Sequence, residues 1–261
     1  MYKINLIGSG KVATHLAKAF IQAGHELKGV YSKTFQNAKE LADQTGSRAY
    51  EKIDDLSQEV DVWIVSVKDD AINEIADKLN VGNALVVHTA GSVNVNIFKR
   101  FNNYGVFYPL QTFSKTKTVD FSNIPLLLEA NSSTNLELLM KLGTSISENC
   151  REVNSEQRKK VHIAAVFACN FTNYMFSLSE QVLKENNLDF DLLKPLISET
   201  IEKAMEIGPQ NAQTGPAIRN DVNVIENHLH LLESNPKLKD LYSYLSSSIF
   251  EFFKKNEKQR T

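Results

Sequence analysis

The chain has 261 residues, enough to bury one large core or two of medium size. A formal net charge of −2, with no block of Lys and Arg, argues against a nucleic-acid surface, and the late Lys254, Lys255, Lys258 and Arg260 read as a solvated tail. Two cysteines, Cys150 and Cys169, supply neither a disulfide framework nor metal-ligand spacing, so no metal is expected, and Cys169 reads as a core residue.

The first element is a short apolar strand over 4–7 that runs through Gly8-Ser9-Gly10 into a helix over 11–23. Its apolar residues belong to that strand and not to a cleavable leader, and no run reaches the ~20 apolar residues that span a bilayer. A cytoplasmic protein without a membrane partner is therefore expected. In this turn Gly8 permits the sharp change of direction, Gly10 lets backbone approach an anion, and Ala13 allows close helix–strand packing. Free N–H groups of Lys11 and Val12 and the positive end of the helix then face a pyrophosphate. A plain structural turn is the competing reading.

The second strand, over 26–31, closes a unit of about thirty residues. An NAD-selective site places a carboxylate at its end. Here the residues are Ser32-Lys33-Thr34, two hydroxyls and an ammonium suited to a 2′-phosphate, so NADP is the expected cofactor. The same residues also suit a cap for the helix over 35–45.

Further strands fit 62–67, 84–88, 105–108 and 125–128, with helices over 70–79 and 134–147. Strand–helix alternation of this kind indicates a parallel sheet covered on both faces. Three loops follow strands where a doubly wound sheet binds ligands. The first, Ser66-Val67-Lys68-Asp69-Asp70, would pass Val67 beneath a ribose and use an aspartate to cap the next helix. In the second, His88-Thr89-Ala90-Gly91-Ser92, His88 is either a proton donor or a structural histidine. The third, Tyr108 to Phe113, is either a hydrogen-bonding turn or a rigid corner. The cofactor-facing set is Gly8, Ser9, Gly10, Lys11, Val12, Ser32, Lys33, Thr34, Val67, Lys68 and Thr89.

After Asn154 no strand pattern remains, which divides the chain into an α/β nucleotide domain (1–154) and an all-α domain (155–261). Asn154 or Ser155 caps a long helix through about 185, followed by helices over 190–207, 221–234 and 237–255. In the long helix Val161, Ala164, Ala165, Ala168, Phe171, Met175, Leu178 and Val182 form an apolar stripe. The helix is expected to be buried nearly all round. His162 and Asn170 on another face either satisfy backbone groups or line a cleft. Thr214-Gly215-Pro216 forces a turn, Arg219 projects from it, and Asp221 caps the following helix. His228 and His230 diverge on their helix and suggest no metal site.

Taken together, Gly8-Ser9-Gly10, His88-Thr89-Ala90-Gly91, Tyr108 to Phe113, His162 through Asn170, and Thr214-Gly215-Pro216 with Arg219 and Asp221 resemble one family. It is the Rossmann-like NADP oxidoreductase family whose C-terminal part is a domain of unknown function of the DUF2520 type. More distantly the chain is similar to pyrroline-5-carboxylate reductases, F420-dependent NADP oxidoreductases and β-hydroxyacid dehydrogenases. The last group carries a Lys one helical turn before an Asn; here Asn170 matches the Asn, but Val166 stands at the Lys position. His162, two turns before Asn170, is the substitute on offer.

The resemblance implies hydride transfer between a nicotinamide and a small polar carbonyl or imine substrate in an interdomain cleft. His88 or His162 would handle the proton, Asn170 and Thr214 orient the reacting group, and Arg219 hold an anion. A homodimer through the helical domain is expected. The alternatives are a non-catalytic NADP(H) sensor and an F420-linked enzyme.

Overall fold

The computed structural model of the protein describes residues 1–114 and 117–257; Lys258 and Arg260 of the expected basic tail lie outside them. The chain divides into two compact units, Met1–Tyr174 and a second from Met175 onward.

The first unit is built on eight strands: β1 (Lys3–Ile7), β2 (Glu26–Tyr31), β3 (Arg48–Tyr50), β4 (Val62–Val65), β5 (Leu85–His88), β6 (Tyr104–Pro109), β7 (Leu126–Ala130) and β8 (Cys150–Glu152). Their spatial order is β3-β2-β1-β4-β5-β6-β7-β8. The β6–β7 pair is antiparallel and the other pairs are parallel. Chain order reverses direction between β1 and β4, and doubly wound sheets bind ligands beyond the carboxyl ends of the strands at such a point. All six expected strands are present. The two additional ones, β3 and β8, are three residues long, too short to leave a period in the sequence.

Burial on both faces explains why the central strands read as unbroken apolar runs. In β4, Val62 and Ile64 enter one core with Leu6, Leu16, Phe20 and Leu128. Trp63 and Val65 enter a second core with Ile7, Ile72 and Phe98. The sheet is covered by α1 (Lys11–Gln22), α2 (Phe35–Thr45), α3 (Ile72–Lys78) and α4 (Ser133–Thr144). Three- and four-residue spacing in α1 brings Ala13, Leu16, Ala17 and Phe20 to its buried side. Gly46 ends α2 in the left-handed conformation, with φ 65°, which a glycine adopts without strain.

The helix after Asn154 opens with a reciprocal cap. The Asn154 side chain accepts from the Gln157 N–H (2.9 Å), and Gln157 accepts from the Asn154 N–H (3.2 Å). This α5 (Ser155–Ala165) continues through a π-helical stretch, Val166–Phe171, into α6 (Thr172–Glu185). The compact unit runs beyond residue 154 to Tyr174 because Ser155 and Arg158, both buried, tie α5 to the sheet.

Two expectations for this run are corrected. Its apolar stripe is not buried, since Ala164, Ala168, Phe171 (48%) and Val182 (36%) are exposed; nor is the helix buried all round, with Phe167 64% and Ile163 58% exposed and Cys169 exposed instead of in the core. In addition, Ser155–Glu185 is long and apolar enough to cross a membrane by length and composition.

The second unit is helical, with α7 (Lys194–Ile207), α8 (Pro209–Ala212), α9 (Val222–Leu231) and α10 (Pro236–Glu257), and it has no strand among its described residues. Asp221 caps α9 as expected, accepting from the Val224 N–H at 3.4 Å. The fold is thus a doubly wound α/β sheet followed by an all-α part.

Candidate functional site

The glycine turn after β1 leaves no choice of residue at its first position. Gly8 has φ 114°, and a Cβ there would sit 2.1 Å from the Ser66 carbonyl oxygen. Its N–H donates to the Tyr31 carbonyl (2.7 Å), holding the turn between the ends of β2 and β4. Gly10 is different: its φ is ordinary, and a Cβ there would meet open space. It stands at the N-cap of α1, where no side chain satisfies the helix N–H groups. Free donors, a helix dipole and an unfilled approach make an anion cradle.

Beside it, the Ser9 hydroxyl donates to Ser32 Oγ (2.9 Å), joining the glycine turn to the loop after β2. Lys33 and Thr34 are exposed there. Thr34 holds the N-cap position of α2, yet its hydroxyl caps nothing, which corrects the capping alternative and leaves that oxygen for a ligand. The set fits a phosphorylated dinucleotide: the close approach is built in, and the Lys33 ammonium and Thr34 hydroxyl are exposed beside it.

Adjacent register carries the site across the sheet, since Val65 pairs with His88. The Thr89 hydroxyl donates to Ser66 Oγ (3.0 Å), so this residue braces the β4 and β5 loops. Val67 is half-buried and Lys68 exposed. Asp69 does not cap α3, whose N-cap is Ala71; its carboxylate instead accepts from the Ser92 hydroxyl, clasping the same two loops.

His162 on α5 meets Tyr108 at the end of β6, with Nδ1 3.0 Å from the phenolic oxygen and the rings edge to face. Gly91 lies against both. A Cβ at Gly91 would come within 2.7 Å of His162 Nδ1 and 2.9 Å of Tyr108 Cζ. Glycine at 91 is what allows the β5 loop to touch this pair. Burial pushes the Tyr108 phenol up; the Arg158 charge pulls it back and Asp69 adds to the rise.

Arg158, one turn before His162, is fully buried. Its guanidinium pairs with Glu129 on β7, donates to the Val93 carbonyl, and reaches Ser155 Oγ at 3.1 Å. Ser155 in turn donates to Glu129 (2.8 Å) and accepts from the Val95 N–H (3.0 Å). This network fixes the first turns of α5 to the loop after β5, and so fixes His162.

His88, which reads as either a proton donor or a structural histidine, sits in the core. It is fully buried at the end of β5, and its Nδ1 accepts from the Ala90 N–H at 3.2 Å. Burial, aided by the Arg158 charge and opposed by the Asn94 backbone, pushes its pKa down to about 3. The imidazole is therefore neutral at physiological pH and turned away from solvent.

Asn170 lies exposed in the π-helical stretch. Thr214 and Arg219 are exposed on the turn before α9 in the second unit. The structure thus brings together the glycine turn, Ser32, Thr89, Tyr108 and His162 along one end of the first unit's sheet. Sequence reasoning missed the pairing of Tyr108 with His162, the contact of Gly91 with both, and the Arg158–Glu129–Ser155 network. The four-residue step from Arg158 to His162 was the available signal. Among the described residues no group of three His, Cys, Asp or Glu side chains could hold a metal.

Two family models match the chain. One, described as NADP oxidoreductase coenzyme F420-dependent, covers residues 3–91, and the other, a domain of unknown function (DUF2520), covers 124–249. A crystal structure of a candidate NADP oxidoreductase from Bacteroides fragilis is 44% identical, with a TM-score of 0.90 over 96% of this chain and 98% of that one. An imine reductase from Myxococcus stipitatus, solved with NADP+, shares the fold at 16% identity and a TM-score of 0.62, over 98% and 94% of the two chains. An L-aspartate dehydrogenase of Methanocaldococcus jannaschii is 30% identical over 87 residues, which is 32% of this chain. The chain spans about a third of the length of that curated relative (33%).

Proposed function

Because the chain belongs to the Rossmann-type NADP oxidoreductases that carry a DUF2520 C-terminal domain, we propose that it transfers a hydride between NADP(H) and a small polar carbonyl or imine compound. The observation that carries this reading is the Tyr108–His162 pair on the same sheet edge as the glycine cradle. A bound nicotinamide supplies or accepts the hydride. The chain's own residues position and handle charge. Gly8, Ser9, Gly10, Lys11 and Val12 receive the pyrophosphate; Ser32, Lys33 and Thr34 receive the 2′-phosphate; Val67, Lys68 and Thr89 line the inner part. His162 handles the proton and Asn170 orients the reacting group.

A second copy of the chain covers the exposed face of the long helix in this reading, since Ile163, Phe167, Phe171 and Tyr174 are each about half or more exposed. Sedimentation of the purified protein at micromolar concentration distinguishes dimer from monomer.

The direct test is calorimetric titration with NADPH and NADH, alongside Lys33→Glu. NADPH is expected to bind at least tenfold more tightly, with that preference lost in the variant. Binding of neither nucleotide would sink the oxidoreductase reading. Binding without turnover on a panel of keto acids and imines would leave an NADP(H) sensor.

A further inference from the structure

We propose that Tyr108 is the group that gives the proton to the substrate, and that His162 acts behind it as the proton's source. The inference rests on the hydride-transfer reading above. Its basis is placement. Strands β1, β4, β5 and β6 run parallel, so their carboxyl ends share one edge with the glycine cradle. Val106 pairs with His88, the last residue of β5. Tyr108 lies two residues further along, beyond that end, half-buried beside the Gly91 loop. His162 reaches the phenol through Nδ1, and the ring is held there from one turn away by the buried Arg158 network.

The chemistry balances as follows. A reduced nicotinamide, when bound, would supply hydride to the carbon of a C=N or C=O group, whose π electron pair would move to the nitrogen or oxygen. That atom takes the phenolic proton of Tyr108. A protonated His162 passes its Nδ1 proton to Oη, leaving a neutral phenol and a neutral imidazole. Water returns one proton to the pair after product leaves. Three charged or titratable groups bear on the phenol: His162 at hydrogen-bond distance, Arg158 within the buried network, and Asp69 on the β4 loop. Burial keeps Tyr108 protonated at rest, and the Arg158 charge favours the phenolate that forms in passing. Phenol, relay and cation thus have separate roles. Glycine at 91 also gains a functional reason, since any side chain there would part the Gly91 loop from the acid.

The test uses full-length protein and two variants, Tyr108→Phe and His162→Ala. NADPH affinity is measured first by calorimetry, and loss of binding in the parent protein would defeat the underlying nucleotide reading by itself. With binding intact, NADPH oxidation is followed with 2-methyl-1-pyrroline and pyruvate as probes. Tyr108→Phe is expected to lower kcat about 100-fold or more while NADPH affinity stays within threefold. His162→Ala is expected to move the pH profile of kcat, a change that a purely structural histidine would not produce. A Tyr108→Phe enzyme within threefold of the parent overturns the proposal. Independently of turnover, 15N NMR of His162 in the NADPH-loaded protein reads the link. A titration midpoint that shifts in Tyr108→Phe supports it, and an unchanged midpoint overturns it.

Discussion

Gly91 and His162 stand so close that one added methyl group would lie 2.7 Å from the imidazole Nδ1, inside any normal carbon–nitrogen contact. The loop after β5 and the helix α5 thus approach too closely at this point for any side chain at 91. Gly91→Ala is expected to destabilise the protein by about 1–3 kcal/mol through overpacking. In a His162→Ala background the cost is expected to fall, though not to zero, because Tyr108 Cζ also blocks the new group. Denaturant unfolding of the four proteins in this cycle measures the coupling, and equal costs in both backgrounds would contradict the contact.

The two glycines of the first turn predict opposite phenotypes. Gly8→Ala places Cβ on the Ser66 carbonyl at a φ that alanine avoids, and it is expected to cost ~2–4 kcal/mol and lower the melting temperature. Gly10→Ala meets no protein atom and should leave stability within about 1 kcal/mol. Its methyl instead enters the anion approach, so NADPH affinity is expected to fall at least tenfold. Thermal unfolding paired with calorimetry separates the two.

The Arg158–Glu129 pair is a buried one, with the arginine side chain fully enclosed and the glutamate 15% exposed. Arg158→Met leaves a carboxylate without its cation, and Glu129→Gln leaves a guanidinium without its anion. Each is expected to cost roughly 3–5 kcal/mol, while replacing both together costs less than the sum. Additive losses in urea unfolding would show that the pair is not coupled.

How far this was readable in advance depends on the range of the cause. The Gly8-Ser9-Gly10 turn was legible because a strand, a turn and a helix encode it within twenty residues. So were the central strands, since burial on both faces writes itself as Val62-Trp63-Ile64-Val65. Asn154 and Asp221 as caps were equally local. His88 was harder: a histidine ending a strand looks alike whether it meets ligand or core, and only the packing of Phe98 against its ring decides. The aspartate after β4 was assigned to the adjacent helix, but it bonds to Ser92, a residue of another loop. The long helix read as buried because apolar spacing reports a face that wants covering, and says nothing of what covers it. The Tyr108–His162 pair joins residues on a strand and a helix with fifty-odd positions between them, which no window of sequence contains.

Acid sensitivity follows from His88. Its folded pKa, about 3, lies below the value near 6.5 of an unfolded histidine. The unfolded chain therefore binds the extra proton first as pH falls. The stabilisation is complete above about pH 6.5 and is lost progressively towards pH 3, with an upper bound of roughly 4–5 kcal/mol. His25 is also shifted down by burial and acts in the same direction. His88→Gln is expected to flatten the dependence of unfolding free energy on pH between 6.5 and 4. A parallel slope in the variant would assign the acid loss to other groups.

The Arg158 guanidinium bonds the carbonyl of Val93, sixty-five residues earlier in the chain. During synthesis at the ribosome, the glycine turn has its neighbours Tyr31 and Ser66 soon after it emerges. The Gly91 loop must wait for α5. A nascent chain stopped before residue 155 would hold a nearly finished nucleotide cradle beside an open β5 loop. The nucleotide half of the site matures first, and its proton-handling half is completed only by the last segment of the first unit to be made.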